Sequence, residues 1–250
     1  VRFLGVIVCL LLASCAGVKR QDTWDGEVRV QGGLRGMIRE GKTGPVVELD
    51  TILPDATLVA VGALAEMAGE ITVVDGKLSL SYGEGSEART ESPQETSAAA
   101  ALLVSARVPA WSMATTTQSI SFEKLDEAIG RLAAAAGMDL EKRFPFVVEG
   151  RVRNLEWHVL GGPPAAGGAD SHDAHLEKAA QLRLPTAKAT LVGFYSKSDE
   201  GVFTHAGKKT HVHCVLAEPV SAGHVDHVIV LPGATVKFPA LPAAQGAEAR

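Results

Sequence analysis

The chain has 250 residues and carries 24 Lys and Arg against 29 Asp and Glu, a formal net charge of −5 at pH 7. An acidic chain without basic clusters excludes a protein that tracks nucleic-acid phosphates. Its length allows one large or two small hydrophobic cores.

The first residues predict a targeting segment. Arg2 precedes an apolar run from Phe3 to Ala13, and Leu12-Ala13-Ser14-Cys15 has the form of a bacterial lipobox. The run is too short to span a bilayer, which takes about 20 residues, and it ends in small residues as signal peptides do. Residues 1–14 are therefore expected to be a lipoprotein signal peptide. Cys15 becomes the acylated mature terminus, and 15–23 a tether. Ala16, rather than an acid, favours the outer membrane facing the periplasm. The lipid would anchor the protein to the membrane. Cys9 leaves with the signal, so Cys214 is the one free thiol and no intrachain disulfide forms. Ala98 to Val104 is the longest later apolar run of note, and it is too short to cross a membrane.

Glu27–Val30, Val46–Leu49 and Leu58–Val61 alternate as strands, with a weak helix over Gly33–Arg39. Glu70 to Tyr82 has a hairpin pattern, its Asp75-Gly76 pair suited to a type I′ turn. Gly83 to Ser97 is polar, charged and interrupted by Pro93, which predicts a loop. One helix is clear. Ser121 is its expected N-cap, Glu123, Asp126 and Glu127 load its first turns, Leu125, Ile129, Leu132 and Ala136 make its apolar stripe, and Gly137 ends it. Strands follow at Pro145–Arg153, Leu155–Leu160, Ala187–Tyr195, Lys209–Ala217 and His224–Leu231. A Gly/Pro/Ala-rich loop, Gly161–Ser171, interrupts them. Many strands and few helices, without regular alternation, predict an α+β fold with mixed or antiparallel sheets. The expected organisation is a sheet-and-helix region over 24–160, a loop over 161–175, a second sheet region over 176–238 and a tail over 239–250.

Four of the eight histidines fall between His211 and His227. His211 and His213 are two apart in a strand, so both rings leave one face. His224 follows after a turn in Pro219–Gly223 that brings the next strand back. Three imidazoles converging from neighbouring strands suit zinc with an open fourth position, the arrangement of catalytic rather than structural zinc. Cys214 alternates to the opposite face and reads as a buried small hydrophobe. His227 reads as a surface residue.

Taken together, these residues resemble the α-acetolactate decarboxylase family. The resemblance rests on Ala60–Gly76 with Gly69-Glu70 leading into a short apolar strand and Asp75-Gly76, on Pro145–Gly150, on Thr190–Phe194, and on His211-x-His213 followed by Gly223-His224-Val225. It runs in order over about residues 24 to 230. It implies a two-domain α/β arrangement with a sheet in each part. His211, His213 and His224 would be zinc ligands and Glu70 a nearby carboxylate. The substrate would be a small hydroxy-oxo acid, 2-acetolactate, which loses CO2 to give acetoin. A homodimer is allowed as its assembly. Two departures stand out. Where the family carries an arginine after the second motif, this chain has His158, which can donate a proton but cannot clamp a carboxylate bidentately. The family's C-terminal glutamate has no clear counterpart, Glu248 standing close to the end. These departures motivate a rival reading, a non-catalytic zinc- or ligand-binding envelope lipoprotein on the same fold. Zinc storage is a third, with His172 and His175 as the only loop histidines.

Overall fold

A computed structural model describes residues 23–163, 176 and 178–242. The signal segment, Cys15, most of the Gly161–Ser171 loop, His172, His175 and Glu248 lie outside the described residues.

The first sheet contains β1 (Arg29–Gly32), β2 (Val47–Glu48), β3 (Leu58–Leu64), β4 (Glu70–Val74), β5 (Lys77–Glu84), β6 (Glu87–Glu91) and β7 (Ala99–Arg107). Its order is β1-β7-β3-β4-β5-β6, with β2 also on β7, and helix α1 (Leu34–Glu40) links β1 to β2. The apolar run at Ala98–Val104 becomes β7, an inner strand buried on both faces, as a continuous apolar stretch of this length favours. Asp75 and Gly76 both have positive φ, 49° and 72°, as the type I′ turn between β4 and β5 requires.

The second sheet contains β8 (Trp111–Thr115), β9 (Ile120–Ser121), β10 (Phe144–Val159), β11 (Ala180–Tyr195), β12 (Thr210–Ala217), β13 (Val220–Val230) and β14 (Thr235–Pro239). Its order is β8-β14-β10-β11-β12-β13-β9, and β13 also pairs with the far half of β10, closing β10 to β13 into a ring. Helix α2 (Leu125–Ala135) lies between β9 and β10. The two sheets divide between Arg107 and Trp111, and the 160–180 connection joins two adjacent strands of the second. Every strand pairing described is antiparallel. The fold is thus mostly β with few helices among the described residues, at the β-rich end of the expected α+β class. None of the described helices is long and apolar enough to cross a membrane.

Three local expectations are corrected. Gly83–Ser97 is not all loop: β5 runs to Glu84 and β6 returns over Glu87–Glu91 around Gly85. Charged side chains are tolerated there because β6 is an edge strand. The two strands expected at 145–153 and 155–160 are one, β10, kinked at Asn154, whose φ is 50°. Ser121 makes no capping bond, because a 3-10 turn over Phe122–Lys124 precedes α2.

The sheets pack face to face. Along β3, Val59, Val61 and Ala63 join the core shared with the second sheet, whereas Leu58, Ala60 and Leu64 enter a separate cluster on the outer face. Strand β4 divides in the same way. Ile71 and Val73 face the outer cluster, which by the period of two turns Glu70 and Thr72 toward the second sheet.

Candidate metal centre

Register builds the site. His213 is the cross-strand partner of His224, and His224 that of His158, so the three lie in one row across β12, β13 and β10. His211 stands two residues from His213 on the same face. The close approach of β13 to β10 depends on Gly223, where an added Cβ would lie 2.5 Å from the His158 carbonyl oxygen and 2.9 Å from Trp157 Cδ1. The turn expected across Pro219–Gly223 is confined to Glu218 and Pro219, and Ser221 to Gly223 already belong to β13.

Three nitrogens converge. His211 Nε2 lies 3.2 Å from His213 Nε2 and 3.1 Å from His224 Nδ1. These three buried residues form a group that could hold a metal ion. The spacing is close to the roughly 3.3 Å between nitrogens that ligand distances of about 2.0–2.1 Å give in a tetrahedral zinc site. Burial, followed by the neighbouring His205, pushes the His211 pKa down to about 3. His213 and His224 are held well below the usual histidine range, by burial first and then by surrounding imidazoles. Neutral rings keep the lone pairs that a metal needs. On the far side of His213, the Thr72 hydroxyl lies 2.9 Å from Nδ1, a contact that fixes ring orientation as outer-shell partners of metal ligands do.

Glu70 is buried, with Oε2 at 3.6 Å from His213 Nε2. Burial raises its pKa well above the carboxylate range; the Asp226 charge adds to this and a backbone hydrogen bond from Leu160 opposes it. His158 is buried too, its ring centre 4.9 Å from that of His224. It does not rest on Trp157, whose indole N–H donates to Ser221 Oγ instead. Cys214 is buried, points away from the triad as alternation requires, and has its thiol pKa pushed up by burial. His227 turns toward Glu123 and Phe122 at the partly exposed end of β13.

Two residues that sequence reasoning missed join the site. Asp226 accepts a hydrogen bond from His158 Nδ1, at 2.8 and 3.0 Å to its two oxygens. It is the extra residue of a bulge: Trp157 pairs with Val225 and Glu156 with His227, leaving Asp226 between. Bulges re-aim side chains in this way. His205, in the β11–β12 connection, lies 5.0 Å from the His224 ring and 6.2 Å from that of His211, centre to centre. Its sequence signal was only its being one more histidine near the cluster.

A cavity of about 40 Å³ opens beside the triad. Glu70, His205, His211 and His224 supply its polar wall; Leu34, Met37 and Ile38 of α1, with Met67 and Leu160, supply much of the apolar wall. Among the described residues, those lining it include neither lysine nor arginine, and His158 is not one of them.

No protein-family model matches the chain, and no curated protein matches it by sequence. Solved structures do match. An α-acetolactate decarboxylase from Bacillus subtilis strain 168 aligns with a TM-score of 0.65 at 12% identity, over 84% of this chain and 85% of that one. An acetolactate decarboxylase from Bacillus subtilis subspecies spizizenii aligns with a TM-score of 0.65 at 15% identity, over 85% of each chain. A Staphylococcus aureus protein of unknown function, described as similar to α-acetolactate decarboxylase, gives 0.64 at 13% identity over 84% of each. The chain therefore has the α-acetolactate decarboxylase fold.

Proposed function

We propose that the protein is a zinc-dependent decarboxylase of a small hydroxy-oxo acid, 2-acetolactate being the first substrate to test. The observation that carries the reading is the convergence of His211 Nε2, His213 Nε2 and His224 Nδ1 on one point, beside a cavity that Glu70 also lines, in a chain with this fold.

Loss of CO2 from 2-acetolactate breaks the bond between the carboxyl carbon and C2. The electron pair moves toward the neighbouring carbonyl oxygen, and carbon must then gain one proton to give acetoin. Zinc on the three histidines would supply positive charge for that oxygen. The chain's own residues handle the proton and the water. Glu70 is the carboxyl group on the cavity wall and can carry a proton to carbon. His158, with Nδ1 engaged by Asp226, stands beside His224 in the same histidine row and is a second candidate for the proton transfer. Apolar side chains of α1 limit water around the reacting carbon.

A second reading, a metal-binding protein without turnover, is favoured by the small cavity and by the absence, among the described residues that line it, of a lysine or arginine for a carboxylate. One experiment separates the two. Zinc-loaded protein is given racemic 2-acetolactate, and acetoin and CO2 are measured against a metal-free control. Turnover supports the enzyme; metal binding without acetoin supports the second reading.

Attachment to the outer membrane through a lipid on Cys15 belongs to the same proposal. Its support is the Leu12–Cys15 pattern alone. Membrane fractionation of the wild type and Cys15→Ser tests it.

A further inference from the structure

We propose that His205 is the substrate-positioning residue of this site, donating a hydrogen bond to an oxygen of whatever ligand takes the position the three histidines leave open. The inference rests on the metal-site reading above and adds to it the group that holds the substrate.

The first argument is placement. The triad's ring centres are 4.8–5.5 Å apart. His205 matches that spacing only against His224, at 5.0 Å, and stands back from His211 at 6.2 Å. Its nitrogens do not belong to the converging group. The ring thus sits just outside the ligand set, on the side of His211 and His224, whereas Glu70 and Thr72 approach His213.

The second argument is the cavity. Among the described residues that line it, apart from the triad, the polar side chains are those of Glu70 and His205, and the others are apolar. The carboxyl of Glu70 repels an anionic ligand when ionised. An imidazole keeps one N–H donor even when neutral, so the role does not depend on its charge. His158 does not line this cavity, and its Nδ1 is engaged with Asp226.

The third argument is that the turn presenting His205 is built rather than loose. The Asp199 carbonyl accepts the amides of Val202, Phe203 and Thr204, and the Asp199 carboxylate accepts from Arg143 and Ser196. Phe203 and Thr204 are fully buried. The Lys208 amide closes onto the His205 carbonyl at 3.0 Å. Positioning groups need such support to hold their geometry. The same turn also carries α1: the Leu34 and Arg35 amides donate to the Val202 and Gly201 carbonyls at 2.8 and 2.9 Å.

The test uses the full-length protein loaded with Co(II), whose visible bands report both metal and ligand binding. Two probes are titrated. Azide is a generic anion for the open position; 2,3-dihydroxy-2-methylbutanoate keeps the carboxylate and hydroxyl of acetolactate but has no ketone. In His205→Ala, cobalt should bind one per chain with near wild-type affinity, while both probes weaken roughly 10- to 100-fold, the usual cost of a lost hydrogen bond to a charged group. His205→Gln, which keeps an N–H donor, should recover much of the loss. Unchanged probe affinities in a folded, cobalt-loaded His205→Ala overturn the proposal. Loss of cobalt from that variant overturns it differently, by making His205 a metal ligand. If wild type binds azide but not the dihydroxy acid, the acetolactate reading fails, and the azide comparison still decides the role of His205.

Discussion

Asp226 accepts a hydrogen bond from Nδ1 of His158 at 2.8 Å from the extra position of the β10–β13 bulge. A carboxylate there fixes the tautomer with hydrogen on Nδ1 and holds the ring in place beside His224.

His158→Ala should therefore lower acetolactate turnover by about 10²–10⁴-fold, the usual worth of general acid–base help, while zinc content stays at one per chain. Asp226→Asn should act in the same direction by a smaller factor, because it loosens the ring without deleting it. Steady-state kinetics with parallel metal analysis check both. Full activity in His158→Ala would remove it from the mechanism.

Thr72 offers a test of the metal centre that leaves the ligands in place. Thr72→Val keeps the shape of the side chain and deletes the hydroxyl 2.9 Å from His213 Nδ1. Losing such an outer-shell partner typically weakens metal affinity about 10–100-fold. Competition with a chromophoric chelator should show that loss, whereas His213→Ala should abolish tight binding. Equal zinc affinity in Thr72→Val and wild type would mean that this contact does not orient the ring.

How much of this was legible in the chain follows from the range of the forces involved. His211 and His213 were readable because a period of two is local, and His224 because its strand returns after a short turn. Glu70 was pointed to by the family resemblance alone, since a glutamate at the head of a hairpin is by itself usually solvated. Asp226 was not readable, since its direction depends on a bulge that exists only when β13 pairs with β10. His205 was hidden for a similar reason: Arg143, 56 residues from Asp199, helps fix the turn that aims it. Strand β6 was missed because its charged sequence satisfies an edge position rather than a core one. The sheet division between Arg107 and Trp111 left no local mark, since β10 pairs with strands on both sides that follow it in the chain.

Asp199 gives the fold an acid-sensitive contact. Burial alone would raise its carboxyl pKa, but the hydrogen bonds from Arg143 and Ser196 and the guanidinium charge outweigh burial and hold it below the ordinary 3.8. A carboxylate with a depressed folded pKa contributes stability that is fully present above the unfolded value of about 3.9 and is lost as pH falls through the folded one. Asp199→Asn should cost about 1–3 kcal/mol at pH 7, as expected for buried hydrogen-bonding groups left without their partner. The gap from wild type should narrow as the pH drops below 4. Urea unfolding midpoints at pH 7, 4 and 3 measure this, and a gap that stays constant with pH would rule out the ionised carboxylate as its source.

Glu70 should show the opposite sign. Its carboxyl is buried, with the Leu160 amide donating to it and His213 at 3.6 Å. In the metal-free protein that imidazole is held neutral, so it offers the carboxylate no compensating charge. An ionised glutamate there costs folding free energy at neutral pH, because its folded pKa lies above its unfolded one. Glu70→Gln keeps the shape, can still accept from Leu160, and removes the charge. The metal-free variant should be more stable than metal-free wild type by about 0.5–2 kcal/mol, while activity falls, the trade expected of a strained functional group. Thermal unfolding of the two metal-free proteins, paired with acetoin assays of the zinc-loaded ones, reads both halves. A stabilised variant with undiminished turnover would show Glu70 to be a buried charge with no part in the chemistry. A destabilised and inactive one would show that Glu70 holds the two sheets together, and its proton-carrying role would lose its support.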